Sequence, residues 1–167
     1  MKNMIKVVVL MAAMLVAGIG YSQDSWVFGL GGSGATSTKS SGGSGFGIGF
    51  DLGRTGNLLL PIQTGVRQGL TYANSDANGS QTLLNTALYN DWTVFTHKAL
   101  EVFVGANVAA TYGNTKPLFT IAPEAGVRLA VKKDVNLVGR VQYGFDLNDH
   151  ARQQDYISYE VGIQFKF

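Results

Sequence analysis

The chain has 167 residues, a formal net charge of +2, 22 glycines, only 3 prolines and no cysteine. The absence of cysteine excludes a disulfide framework, a thiolate metal site and a cysteine nucleophile. Abundant glycine with scarce proline suits strands and tight turns, not a disordered linker.

The chain begins with the pattern of a signal peptide. Lys2 and Lys6 form a positive start, the segment 7–20 is an apolar run of 14 residues, and small residues follow it. A membrane-anchor helix is the alternative, but such a helix needs about 20 residues to cross a bilayer. We therefore predict that residues 1–22 are a cleaved signal peptide and that residues 23–167 form one domain.

Removing the predicted signal peptide changes the charge balance. The remaining 145 residues carry 11 basic and 11 acidic side chains, which cancel. A neutral domain gives no electrostatic reason to expect a nucleic-acid partner, and none is predicted.

Apolar residues alternate with polar or small residues from the end of the signal peptide to the last residue, which is the period of a β-strand. Eight strands are predicted in chain order, at 25–32, 45–53, 58–72, 82–96, 99–112, 119–131, 134–147 and 157–167. The first two are short. The fourth is irregular because Asn90 lies within its apolar stripe and Phe95 opposes it, so a bulge or change of register is expected there.

Charged side chains in the predicted strands avoid the apolar stripes. Nine of them fall on the opposite faces: Asp51, Arg67, Glu101, Glu124, Arg128, Arg140, Asp146, Glu160 and Lys166. Alternation alone leaves two arrangements open, because a soluble lipocalin-like barrel would place the apolar face inward and a membrane barrel would place it outward.

The connections favour the membrane barrel. Four are longer and polar, at 33–44, 73–81, 113–118 and 148–155, whereas three are tight, at 54–57, 97–98 and 132–133. Long loops at one rim and short turns at the other are typical of an outer-membrane barrel with both chain ends in the periplasm.

The last strand carries a terminal signature. Apolar residues occupy every second position up to the final phenylalanine, namely Tyr159, Val161, Ile163, Phe165 and Phe167. This pattern resembles that of the small outer-membrane barrel family typified by OmpX and the membrane domain of OmpA. The resemblance implies an all-β, eight-stranded antiparallel up-and-down transmembrane β-barrel in the bacterial outer membrane. It also implies that these five residues are the signal that the barrel-assembly machinery recognises. No peptidoglycan-binding domain of the kind found in full OmpA is expected.

The charged residues of the inner face form the main candidate site. An eight-stranded barrel is just wide enough for side chains to fill, so no diffusion pore is expected. Charges in so narrow a lumen must be paired, which favours a structural salt-bridge network over an ion-binding or gating cluster. The predicted network comprises Arg67, Glu101, Glu124, Arg128, Arg140, Glu160 and Lys166. Glu124 and Arg128 lie two lumen positions apart, within reach of each other, but partners on other strands cannot be read from the sequence.

Aromatic residues near strand ends are predicted to form the interfacial girdles of a membrane barrel. They are Trp26, Tyr72, Trp92, Tyr112, Tyr143, Tyr156 and Phe167.

These features predict a non-enzymatic outer-membrane protein with a structural or surface-interaction role. Its expected partners are outer-membrane lipid and lipopolysaccharide, the barrel-assembly machinery and a surface ligand of the outer loops, and no catalytic residue, cofactor or metal is predicted. One alternative is a lipid-modifying enzyme at the barrel rim, where His150 lies near Asp149, Asp155 and Ser158 in sequence. The other is a secreted lipocalin-like binding protein.

Overall fold

The computed structural model describes residues 23–38, 43–75, 79–113, 117–147 and 155–167, and the predicted signal peptide at 1–22 lies outside them. The chain forms eight strands: β1 (Gln23–Ser37), β2 (Ser44–Leu58), β3 (Leu60–Ser75), β4 (Gly79–His97), β5 (Leu100–Tyr112), β6 (Leu118–Lys132), β7 (Val135–Asp146) and β8 (Tyr156–Lys166). Each strand pairs antiparallel with the next, and β1 pairs with β8, so the sheet closes into a barrel. The predicted eight-stranded antiparallel barrel is confirmed.

Among the residues that the structure describes, no helix has the length and apolarity needed to cross a membrane.

The outer surface of the barrel is apolar on every strand. Side chains that alternate with the lumen residues are largely exposed, for example Val104 at 45% and Val161 at 68%. Each strand contributes at least one large apolar side chain to this outer belt, including Leu30, Phe50, Leu70, Leu84, Val104, Val127, Val141 and Val161. The predicted apolar stripes therefore face outward, and the charged face lines the lumen.

The lumen is filled mainly from one wall. On β1 to β3 eight inward positions are glycine: Gly29, Gly31, Gly45, Gly47, Gly49, Gly53, Gly65 and Gly69. The other strands supply large inward side chains, among them Tyr89, Phe103, Asn107 and Arg128, all buried. The glycines make room for these side chains, because a Cβ atom at Gly53 would meet the Tyr89 hydroxyl. A Cβ atom at Gly29 would likewise collide with the carboxyl group of Asp51.

The first two strands are longer than predicted. β1 continues through residues 33–37, which were assigned to an outer loop, and pairs there with both β2 and β8. Gly34 lies opposite Tyr159, whose ring occupies the space that a Cβ atom at Gly34 would take. An aromatic ring that packs over a cross-strand glycine supports a strand that has few side chains of its own. Small and hydroxyl residues hide the strand period in the sequence, so the prediction ended too early.

The turns of the short-turn rim also differ from the prediction. Residues 54–57 were predicted as a tight connection, but they belong to β2 and pair with β3. The chain reverses at Leu59, which is fully exposed and has a φ of 59°. The other two connections lie at 98–99 and 133–134, one residue later than predicted. At the opposite rim three connections are shorter than predicted, at 38–43, 76–78 and 113–117, whereas the fourth spans 147–155 and is one residue longer.

The irregularity expected in the fourth strand is a bulge at Val94. The pairing of β4 with β5 shifts register between Thr93 and Phe95. Val94 and Phe95 are both exposed on the outer surface, so β4 can present Tyr89 and Asp91 to the lumen while keeping two apolar side chains in the belt.

Candidate functional site: the charged lumen

Arg67 of β3 lies at the centre of the lumen and reaches the opposite wall. Its Nη1 lies 3.1 Å from Oε2 of Glu124 on β6, and its Nη2 lies 3.4 Å from Oε1 of the same carboxylate. Its Nε lies 3.8 Å from Oε2 of Glu160 on β8. The guanidinium also stacks 4.6 Å from the ring centroid of Tyr89. One arginine thus ties three non-adjacent strands together across the barrel.

Arg140 of β7 joins the same network through Glu160 and Asp51. Its Nε lies 3.8 Å from Oε2 of Glu160, and its Nη2 lies 3.6 Å from Oδ2 of Asp51. Glu160 therefore bridges the two arginines. Asp51 also accepts hydrogen bonds from the Tyr89 hydroxyl at 3.3 Å and from Nε2 of Gln164 at 3.4 Å. Each of these buried charges lies beside an opposite charge, which offsets part of the cost of its burial.

Arg128 forms a second cluster nearer the short-turn rim. Its Nη2 donates to Oδ2 of Asp91 at 2.7 Å, and its Nη1 lies 3.9 Å from Oε2 of Glu101. The guanidinium rests 4.1 Å from the ring centroid of Phe103, which is completely buried. Glu101 is the second residue of β5, so its side chain is 44% exposed at the rim.

Neutral polar side chains continue the network toward the long-loop rim. Asn107 donates to Glu124 at 3.2 Å and to Oε1 of Gln142 at 2.7 Å. Gln142 donates in turn to the Ser158 hydroxyl at 2.6 Å. The ion pairs and this chain of amides fill the cross-section of the lumen with side chains that hold one another in place.

Most of the predicted network residues come together in the lumen. Arg67, Glu124, Arg128, Arg140 and Glu160 all take part in ion pairs there, and Glu101 lies at its margin. Lys166 lies exposed at the rim, outside the buried cluster. Glu124 and Arg128 were expected to be within reach of each other, but each instead pairs with a residue on another strand.

Three lumen residues were missing from the predicted network: Asp51, Tyr89 and Asp91. Asp51 was assigned to the inner face but not to the network. Tyr89 and Asp91 were hidden by the irregular fourth strand, although outward placement of Leu88 and Trp92 would have turned both inward.

The five residues of the predicted assembly signal form one outward stripe on β8. Tyr159, Val161, Ile163 and Phe165 are exposed on the outer surface, and Phe167 is 70% exposed just beyond the strand. The main chain of Phe167 also closes the barrel, because its carbonyl accepts from the Trp26 N–H at 2.8 Å and its N–H donates to the Trp26 carbonyl at 3.0 Å. Their role as an assembly signal remains a prediction.

The prediction of aromatic girdles was wrong for Tyr156. Trp26, Tyr72 and Tyr112 are exposed near strand ends, as a girdle requires. Tyr156 instead faces the lumen, where its ring covers Gly144 and its hydroxyl lies 3.4 Å from that of Thr120. Alternation explains this orientation, since Ile157 beside it points outward.

The alternative functions were a rim enzyme and a lipocalin-like binder. His150 lies outside the described residues, and His97 is exposed, with its ring stacked 6.4 Å from that of Phe95. Within the described ranges no group of three or more His, Cys, Asp or Glu residues could hold a metal ion. A lipocalin-like binder would need an apolar interior, and the charged lumen is inconsistent with that.

No protein-family model matches the chain, and no curated protein matches its sequence. Several solved structures share its fold. Neisserial surface protein A superposes with a TM-score of 0.67 at 13% identity, and the match covers 87% of this chain and 99% of that one. OprG from Pseudomonas aeruginosa gives 0.54 at 12% identity, with 88% and 98% covered. Ail, the attachment invasion locus protein of Yersinia pestis, gives 0.50 at 10% identity, with 87% and 100% covered. The chain therefore has the fold of the small eight-stranded outer-membrane barrels, as the OmpX and OmpA resemblance predicted.

Proposed function

We propose that this chain is an exported bacterial outer-membrane β-barrel that acts without catalysis, as a structural or surface-interaction protein. The observation that carries the proposal is the reversed polarity of the barrel. Large apolar side chains such as Phe46 and Ile48 are about 70% exposed outside, whereas Arg128, Arg140 and Glu124 are buried inside. Hydrocarbon is the solvent that suits such an outer belt, because a closed barrel satisfies all of its main-chain hydrogen bonds internally.

The filled lumen argues against a channel. Arg67 and Arg140, with the carboxylates of Glu124, Glu160 and Asp51, bridge strands on opposite sides of the barrel. Conduction would require several of these buried pairs to separate together, and separation of a buried pair is costly. We expect no steady conductance when the purified protein is inserted into a planar lipid bilayer.

The loops at the long-loop rim are the candidate interaction surface. They span 38–43, 76–78, 113–117 and 147–155, at the end of the barrel away from the start of β1 and the end of β8. The names of two proteins that share the fold, a surface protein and an attachment protein, are consistent with an exposed role for such loops. Lipopolysaccharide and an external surface ligand are the partners that this location favours.

Assembly by the barrel-assembly machinery is part of the proposal. The outward stripe from Tyr159 to Phe167 ends at the seam where β8 meets β1. The main-chain edge of β8 beside this stripe is unpaired until β8 meets β1, so a receptor could bind the strand and its stripe before the seam forms.

Cell fractionation with protease treatment tests the location. We expect the protein in the outer-membrane fraction, heat-modifiable migration on gels, and cleavage at Lys39 when trypsin is added to intact cells. A monomer that is soluble without detergent would contradict the proposal. The non-enzymatic part is tested separately, because lipid A from cells with and without the protein should have the same acyl composition.

A further inference from the structure

Two neighbouring turns of the short-turn rim carry exposed lysines, which we call the lysine turns: Lys98, Lys132 and Lys133. The first lies between β4 and β5, and the other two lie where β6 turns into β7. The N–H of Ala130 donates to the carbonyl of Ala99 at 2.8 Å, so the β4–β5 turn lies directly beside the end of β6. The three lysines therefore belong to one continuous part of the rim.

The positive charge of the lysine turns is not balanced within the protein. Among the described residues every salt bridge of the barrel involves an arginine of the lumen, and none includes a lysine. The turns themselves contain one acidic residue, Asp134, against three lysines. Glu101, which follows the β4–β5 turn, lies 3.9 Å from Nη1 of Arg128. The counter-charge for these lysines must therefore come mainly from outside the barrel.

The apolar belt ends directly beside these lysines. Val131, which precedes Lys132, is 55% exposed on the outer surface, and Leu100, two residues after Lys98, is also exposed. A lysine in such a position can lay its aliphatic stem along the apolar surface and keep its ammonium group in the polar layer of the membrane. The anionic groups found at that depth are the phosphates of the lipid headgroups.

The third turn of the same rim has a different character. The chain reverses there at Leu59, which is fully exposed, and Leu60 beside it is also exposed. No residue of the segment 57–62 is charged. Arg54, further along β2, has its guanidinium stacked 4.6 Å from the ring centroid of Trp26. Positive charge in the turns of this rim is thus confined to the side formed by β4 to β7.

We propose that the lysine turns bind the headgroups of anionic phospholipids in the membrane leaflet on the short-turn side. A headgroup such as that of phosphatidylglycerol has a phosphate and no ammonium group, so it supplies the counter-charge that the chain lacks here. A zwitterionic headgroup carries its own ammonium group, which offsets its phosphate. The position of the lysines at the edge of the belt favours a lipid over an acidic protein, which would lie beyond the membrane surface. This inference rests on the proposed membrane location.

Tryptophan reporters test which lipids lie beside these turns. The chain has two tryptophans of its own, and Trp26→Phe with Trp92→Phe removes both. In that background Val131→Trp places a reporter beside Lys132, and Leu60→Trp places one on the lysine-free side of the same rim. Each protein is refolded into vesicles of phosphatidylcholine and phosphatidylglycerol in which one of the two lipids is brominated, so that quenching reports the lipid in contact. We expect about a fivefold preference for phosphatidylglycerol at the first reporter and none at the second.

Neutralising the lysines tests whether their charge causes the preference. The triple variant Lys98→Gln, Lys132→Gln and Lys133→Gln should abolish the preference at the Val131→Trp reporter. Salt at about 0.5 M should weaken it in the unchanged chain, because salt screens charges at the membrane surface. The matched control changes the net charge equally by neutralising three basic residues in the connections of the long-loop rim, and it should keep the preference: Lys39→Gln, Lys116→Gln and Arg152→Gln.

The outcomes separate this inference from the proposed membrane location. Reporters that no brominated lipid quenches would mean that the belt does not contact a membrane, and both proposals would fail. Reporters that are quenched but show the same lipid preference at both sites would overturn the lysine turns alone, and so would a preference that survives the triple variant. Heat-modifiable migration of each variant shows that its barrel has folded, and the comparison of the two reporters does not depend on the charge variants.

Discussion

Arg128 and Asp91 meet in the lumen with 2.7 Å between Nη2 and Oδ2, and both side chains are almost inaccessible to solvent. The same guanidinium lies 3.9 Å from Glu101, whose side chain is 44% exposed. A buried pair that loses one partner leaves an uncompensated charge, whereas water screens an exposed pair. One arginine thus takes part in two ion pairs that should differ greatly in their effect on stability.

Replacing the carboxylates of Asp91 and Glu101 one at a time distinguishes the contributions of the two ion pairs to stability. Asp91→Asn should lower the free energy of unfolding by about 3–5 kcal/mol, because Arg128 is left buried without its counter-charge. Glu101→Gln should lower it by at most about 1 kcal/mol. Urea unfolding in lipid vesicles, followed by the fluorescence of Trp26 and Trp92, measures both. Similar losses for the two variants would mean that the Asp91 pair does not stabilise the lumen.

Two neighbouring glycines on β6 and β7 give a matched test of lumen packing. A Cβ atom at Gly126 would collide with the carbonyl of Gly139 and with the Phe103 ring, whereas one at Gly139 would meet only a Val127 methyl group at 3.8 Å. Gly126→Ala should therefore cost about 1–3 kcal/mol of stability. Gly139→Ala should be neutral or stabilising by up to about 1 kcal/mol, since alanine loses less chain entropy on folding. The same unfolding assay applies, and a harmless Gly126→Ala would show that the lumen is loosely packed.

Arginine on the outer belt tests contact with hydrocarbon. Val141 and Val131 are both 55% exposed, but Val141 lies mid-strand and Val131 is the second-last residue of β6. Val141→Arg should destabilise the barrel by about 2–4 kcal/mol and Val131→Arg by about 0–1 kcal/mol, because the cost falls toward the interface. Equal stabilities in vesicles would argue that water surrounds the belt.

Phe167→Ala tests the proposed assembly signal apart from stability. The main-chain bonds to Trp26 do not need the Phe167 side chain, which is mostly exposed. We expect refolding into vesicles to proceed as for the wild type and the amount in the outer membrane of cells to fall. Ile157→Ala, on the same outward face of β8 but outside the predicted signal, is the control. Normal cellular levels of Phe167→Ala would remove the assigned role.

Prediction from the sequence succeeded where side chains differ sharply between the two faces of a strand. The strands from 99 to 167 carry large aliphatic and aromatic residues on one face, and their ends were placed within a residue or two. β1 was cut short at Gly32 because serine, glycine and alanine give little contrast between faces. Asp91 was missed because Asn90 lies within the apolar stripe of β4 and Phe95, after the bulge at Val94, opposes that stripe, which obscured the phase of the strand.

Strand number and the polarity of the two faces could be read from the order of residues, because alternation is a local property of each strand and needs no knowledge of its neighbours. The pairing of charges in the lumen could not be read from the sequence. Arg67 and Glu124 are 57 residues apart, and Arg128 and Asp91 are 37 apart, on strands whose mutual register the sequence does not record. Closure of the barrel at the β1–β8 seam and the register of the paired strands bring these side chains to one level. Only the tertiary structure decided which acids meet which arginines.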